Sequence, residues 1–128
     1  MREILFRAKH KEWDEWVEGD LIHEPFGDCI QFIRNECRSK IKVKPETVCQ
    51  YTGLTDKNGR KIFEGDILSA HLDDQYPEDI TYVQITWGGF SWCTRESTED
   101  DVMTEHDCNV FEVCGNIFDN PELIGEQP

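Results

Sequence analysis

Short alternations of apolar and polar residues, cut by turn residues at about ten-residue intervals, constrain this chain more than any other feature. Thr81-Tyr-Val-Gln-Ile-Thr-Trp87 alternates without a break, with Val83, Ile85 and Trp87 on one side and Tyr82, Gln84 and Thr86 on the other. A period of two is that of a β-strand, whose successive side chains point to opposite faces. Gly88-Gly89 follows at once, and Phe90-Ser-Trp-Cys-Thr94 resumes the apolar run. Two such runs joined by glycines predict a hairpin, because tight hairpin turns require positive φ. Arg38 to Lys44 is a second clean case. Arg38, Lys40, Lys42 and Lys44 share one face, Ile41 and Val43 the other, and Pro45 ends the run.

Residues 4–9, 15–24, 29–34 and 110–114 read as further strands, although periodicity alone also allows a short helix at 29–34. Residues 95–108 are polar and acidic and read as a loop with at most one helical turn, for which Thr98 and Asp101 would supply a capping box. The expected fold is therefore all-β and mostly antiparallel. It comprises an N-terminal β-rich part, residues 1–50, packed on a small C-terminal barrel, residues 51–128, that closes its own sheet edges. Four Trp, seven Phe and three Tyr in 128 residues provide enough bulk for a core despite the high charged fraction.

Charge divides the chain more sharply than hydropathy does. Residues 1–60 hold 11 basic and 11 acidic side chains, whereas from Lys61 onward only Lys61 and Arg95 oppose 16 acids, so the whole net charge of −14 sits in the second half. A field of that sign repels phosphate backbones, which argues against nucleic-acid binding through this half. Of the six cysteines (29, 37, 49, 93, 108 and 114) no two have the C-x2-C spacing of tetrahedral metal sites. The opening MREILFRAKHKEW has too short an apolar run for a secretion signal, and no segment approaches the ~20 apolar residues of a membrane span. Reduced thiols in a cytoplasm, mostly serving as small core fillers, are the expectation.

The stretch Gln50-Tyr-Thr-Gly-Leu-Thr-Asp-Lys-Asn-Gly-Arg-Lys-Ile-Phe-Glu-Gly-Asp-Ile-Leu68 tests whether its polar knot is a ligand loop. As a calcium loop it fails: Gly59 comes at the fourth position instead of the sixth, and Arg60 and Lys61 stand where oxygen ligands should follow. A phosphate loop would need more glycines and a Lys-Ser/Thr pair. A hairpin fits every residue. Asp56 caps a type I turn by accepting local N–H groups, Gly59 or Asn58 takes the left-handed position, and Gly65-Asp66 makes a second bend.

The same stretch, with Pro45-Glu-Thr-Val48 before it and Val113-Cys-Gly-Asn-Ile117 and Asn120-Pro-Glu-Leu123 after it, resembles the YopX family of phage and prophage proteins. Arg2-Glu3 and Phe6-Arg7-Ala8 match its N-terminal pattern, while residues 9–44 and 69–109 are not distinctive. The resemblance implies a small protein encoded by a phage or prophage, a β-rich fold and a C-terminal part similar to an SH3-type barrel. It carries no catalytic residue onto this chain.

Candidate chemistry is sparse. His106-Asp107-Cys108 gathers three potential zinc ligands, but adjacent loop residues seldom face one ion, so no metal and no cofactor is expected. Cys93 and Cys108 lie near His106 without any motif that would mark a nucleophile, and only one of Trp92 and Cys93 should face the core. The chain is expected to be no enzyme. Its leading reading is a protein-interaction or regulatory module that binds a host or phage protein, of basic character, through Asp73, Asp74, Glu78, Asp79, Glu99, Asp100, Asp101 and Glu105. One form of this reading is an acidic mimic of DNA. The alternative is a nucleic-acid module using Arg38, Lys40, Lys42 and Lys44, with Tyr51, Trp87 and Trp92 available to stack on bases. The same cations could instead meet the acidic half of a second copy in a homo-oligomer.

Overall fold

A computed structural model describes residues 3–34, 37–72, 75–76, 78–96 and 99–125. The chain divides into two compact units, Met1–Gly53 and Leu54–Pro128. In the first unit β1 (Phe6–Lys9), β2 (Trp16–Glu24), β3 (Gly27–Arg34) and β4 (Cys37–Lys42) form an antiparallel meander. A 3-10 turn, Pro45–Thr47, leads to β5 (Cys49–Thr55), which returns beside β1. The sheet order is β4-β3-β2-β1-β5, extended by β6 (Lys61–Phe63) where β5 runs on past the unit boundary. Ala8, Ile30 and Val43 are the buried centre, with Phe6, Val17, Leu21, Ile41 and Val48 packed around them.

The alternation of the basic strand is realised. Arg38, Lys40 and Lys42 are exposed, while Ile41 is half-buried and Val43 fully buried. The carboxyl end of β4 curls back onto the end of β1. His10 bridges Val43, the Lys11 N–H donates to the Lys42 carbonyl at 2.9 Å, and the Lys44 N–H donates to the Lys9 carbonyl at 2.9 Å.

The second unit contains β7 (Asp66–Ala70), β8 (Thr81–Trp87), β9 (Trp92–Glu96), β10 (Glu99–Val102), α1 (Glu105–Val110) and β11 (Glu112–Asn116). Its sheet order is β10-β9-β8-β7-β11, all antiparallel. Ile62, Leu68, Val83, Ile85, Trp92, Met103 and Phe111 are prominent in its core.

Several expectations change here. The acidic stretch is not a plain loop: residues 99–102 pair with β9, and 105–110 form a helix. That helix is capped by Thr104 and Asp107, which exchange side-chain and backbone hydrogen bonds, whereas Thr98 lies outside the described residues. The β8–β9 loop spans Gly88–Ser91, because the strands first pair at Trp87 and Trp92. Phe90 therefore stands at the tip, fully exposed, instead of resuming the strand. Trp92 and Cys93 are both buried; Trp92 joins the core, and the Cys93 sulfur lies under the Gly88–Ser91 loop near the Ser91 carbonyl at 3.7 Å. A closed barrel is not found among the described residues. The five-stranded sheet ends at β10 and β11, and all four β10 residues are exposed, so β10 brings no apolar face over which a sheet could close.

The Asp-x-Asn-Gly stretch is a hairpin turn, closed by the Asp56 N–H to Arg60 carbonyl bond at 2.8 Å and the Gly59 N–H to Asp56 carbonyl bond at 2.9 Å. Gly59 sits at φ +82°, where a Cβ would be strained. Asp56 itself is 5% exposed. Its Oδ1 accepts from the N–H groups of Asn58 and Arg60, both at 2.9 Å, and its Oδ2 from that of Val113 at 2.8 Å. Removing that carboxylate strands three backbone donors. Asp56→Ala is expected to lower the unfolding free energy by roughly 3 kcal/mol, and Gly59→Ala by roughly 1 kcal/mol. Urea denaturation of the two variants beside the wild type measures both; equal small losses would contradict the ranking.

Candidate functional site

Two terminal strands carry exposed charge of nearly one sign each. One is β10, where Glu99, Asp100, Asp101 and Val102 are all exposed. Register sets its surroundings: Asp100 lies opposite Arg95 and Glu99 opposite Glu96. Asp100 and Arg95 form an ion pair at 3.8 Å between half-exposed side chains, a contact that contributes at most about 1 kcal/mol. Gln84 pairs with Arg95, and Thr81 pairs with Ala70. Exposed Glu78 and Asp79 therefore fall at the same end of the sheet as Glu96 and Glu99. Glu105 is exposed in α1 and follows Val102, which places it toward the opposite end. Asp73 and Asp74 lie outside the described residues. The structure thus joins Glu78 and Asp79 to the β10 acids and leaves Glu105 apart from them.

The other is β4, whose three cations, with Lys44 just beyond the strand, do not act alike. Lys40 donates to Glu24 on β2, and Lys44 to Asp14 at 2.9 Å. The hydrogen bond that Lys40 donates to Glu24, reinforced by the carboxylate's charge, raises the Lys40 pKa above the usual lysine value. Arg38 and Lys42 have no ion pair among the described residues. A cleft of about 360 Å³ lies beside Arg38, lined also by Gly19, Asp20, Gln31 and Phe32, so a carboxylate shares that space with the guanidinium. Cationic side chains already matched to acids release few counterions on meeting a phosphate backbone. Of the proposed stacking residues, Tyr51 and Trp92 are buried, and only Trp87 offers a ring to solvent.

The catalytic and metal candidates separate. Within α1, Asp107 spends its carboxylate on the helix cap, Cys108 points into the core, and His106 is exposed. Burial, then the nearby Asp107 and Glu105 charges, push the Cys108 thiol up, which lowers its thiolate fraction at neutral pH. No group of three His, Cys, Asp or Glu that could hold a metal occurs among the described residues. All six cysteines are free thiols; Cys29, Cys49, Cys93 and Cys108 are buried and Cys37 and Cys114 exposed.

Sequence reasoning found the local bonds of Asp56 but not its reach to Val113, because no spacing rule links positions 57 apart. It also missed Asp66, which is 1% exposed and accepts from the Phe63 N–H at 2.8 Å. A third omission is the stack of cations on Trp16, where the Arg7 guanidinium lies 4.8 Å and the Lys9 ammonium 5.4 Å from the ring centre. The period-two pattern of β1 could have signalled it, since Arg7 and Lys9 alternate with Phe6 and Ala8.

The family resemblance is densest in residues 45–68 and 113–123, and a family model described as YopX protein matches residues 5–125. The chain belongs to the YopX family. Its fold is similar to the crystal structure of protein EF1440 from Enterococcus faecalis, with a TM-score of 0.66 and 23% identity over 97% of this chain and 99% of that one. At that identity the likeness speaks for the fold alone. Among curated proteins the chain has no match. No helix among the described residues is long and apolar enough to cross a membrane.

The Lys40–Glu24 contact gives a test of how far the basic face is neutralised. In an NMR titration, Lys40 is expected to lose its proton at higher pH than an ordinary lysine side chain. Glu24→Gln should return it to the ordinary range, whereas an unchanged titration in that variant would remove Glu24 as the cause. The sign follows from the direction of the shift: the favourable term is complete below the unfolded lysine pKa and disappears as pH rises through the folded one.

Proposed function

We propose that this YopX-family protein is a non-enzymatic interaction module that engages a basic protein partner through its acidic sheet edge. The carrying observation is β10: a terminal strand whose four residues are all exposed and three of which are acidic. Glu78, Asp79 and Glu96 extend the same field at one end of the sheet. Clustered charge of one sign speeds encounter with an oppositely charged surface and rejects acidic or nucleic-acid competitors. The second unit is read as SH3-like, supported by the β7–β8–β9 meander and by β11 returning beside β7. The family resemblance supports a phage or prophage origin and action in the cytoplasm of a bacterial host. The partner is then a host or phage protein.

The nucleic-acid reading has less support, because Lys40 and Lys44 are paired with Glu24 and Asp14. Arg38 and Lys42 alone would give a log–log salt slope for duplex DNA no steeper than about −2. An acidic mimic of DNA is a special case of the leading reading, in which the basic partner is a DNA-binding protein.

Affinity capture on immobilised protein, at low salt and at about 0.5 M salt where screening is within a few ångströms, tests the reading. A specific basic partner should be retained at low salt, lost at high salt, and lost by Asp100→Asn/Asp101→Asn at low salt. A partner retained under all three conditions would overturn electrostatic recognition through β10.

A further inference from the structure

We propose that the acidic edge strand β10 of one copy pairs with the basic edge strand β4 of a second copy, extending a sheet from chain to chain. This rests on the reading of β10 as a docking edge and names its partner. Each is the terminal strand of its sheet, and a terminal strand keeps one row of peptide groups directed away from its neighbour.

Which groups those are follows from the observed bonds. Val43 N–H donates to Asp28 on β3, so by alternation Ile41 and Ser39 also face β3, and Lys42, Lys40 and Arg38 face outward. The Lys42 carbonyl confirms the direction, since it is taken by Lys11. The free length of this edge therefore carries the peptide groups of Arg38 and Lys40. On β10, Met103 N–H donates to the Trp92 carbonyl at 2.9 Å, so Asp101 and Glu99 face β9 while Asp100 and Val102 face outward. Each edge thus offers two residues, spaced two apart, with peptide donors and acceptors in strand geometry.

Charge then selects among the pairings these edges permit. Two β4 edges would bring Arg38 and Lys42 against their own kind, and two β10 edges would oppose Glu99 and Asp101 to one another, with Lys40 and Asp100 partly matched by Glu24 and Arg95. Like charges directly opposite destabilise a strand pair, and opposite ones stabilise it. Only the β4–β10 combination joins unlike edges. Because the two surfaces differ, the contact is heterologous, and successive copies form a ring or an open chain according to the rotation between them.

Sedimentation equilibrium of the full chain tests this directly. At about 0.1 M salt, where a screening length of about 10 Å damps the repulsion between two copies of net charge −14 but spares charge contacts a few ångströms apart, the average mass should rise with concentration above that of a monomer. It should fall back to the monomer at about 0.5 M salt. Reversing either edge, by Arg38→Glu/Lys42→Glu or by Asp100→Lys/Asp101→Lys, should weaken self-association at least about tenfold. An equimolar mixture of the two variants restores it, since each then offers the other a complementary edge. Circular dichroism matching the wild type shows that each variant is folded. A wild type that stays monomeric at about 0.1 M salt, or a mixture that associates no better than its components, overturns the proposal. Capture of a foreign basic protein separates the two readings. If it is lost with Asp100→Lys/Asp101→Lys but kept with Arg38→Glu/Lys42→Glu while the wild type is monomeric, the acidic edge stands and self-pairing falls.

Discussion

The buried carboxylate of Asp56 organises the second unit. Three backbone N–H groups converge on it, two from its own turn and one from Val113 at the start of β11. Two further bonds run between the same segments: Lys57 N–H to the Phe111 carbonyl at 3.2 Å, and the Asn58 amide to Glu112 at 3.0 Å. The turn is therefore a platform on which the last strand is seated. Burying an unpaired charge would cost several kcal/mol, but a carboxylate that accepts three N–H donors has its solvation replaced almost group for group. Gly65 continues the same logic one turn later. Its N–H reaches the Ile85 carbonyl and its own carbonyl accepts from Ile117, both at 2.9 Å, which ties β8 and the chain beyond β11 to one bend.

This explains which parts of the fold could be read from the sequence. The alternation of Thr81–Trp87 coincides with β8, and the cation row of 38–44 lies on one face, because both strands have one buried side that imposes period two. The Asp-Lys-Asn-Gly turn was legible because its chemistry is local. β10 was not. Glu-Asp-Asp-Val has no buried side and no alternation, so its strand conformation comes from pairing with β9 and from the Met103 bond that anchors its end. The helix after it was also hidden: its one recognisable signal, the Thr104–Asp107 cap, lies beside an equally plausible Thr98–Asp101 spacing that the chain does not use for a helix. The family resemblance drew on residues 45–68 and 113–123, the segments that Asp56 fastens together.

The candidate site was legible in sign and not in detail. Net charge located the acids in the second half, but whether a given acid faces outward depends on pairing that a count does not contain. Asp56 and Asp66 are spent inside the structure, and Asp107 caps a helix, so three of the acids supply bonding and not an exposed field. The basic strand shows the converse. Its cations alternate as expected, yet hairpin register sets β4 beside β3 and β3 beside β2, and two of the four cations end on carboxylates of the same unit.

Edge strands are a hazard to any open sheet, since exposed peptide groups accept whatever strand comes near. A common protection is a lysine or a mixed set of charges on the edge. Here two of the terminal strands each carry nearly a single sign, Arg38 and Lys40 on β4 and Glu99 to Asp101 on β10. A single sign protects against pairing between identical edges and against uncharged strands that would strip solvent from the charges. It gives no protection against the opposite sign. A strand edge charged in this way favours partners of opposite sign, and the two edges of this chain differ in that sign. On the proposed reading, the excess of acid around β10 would restrict that strand to partners of the opposite sign.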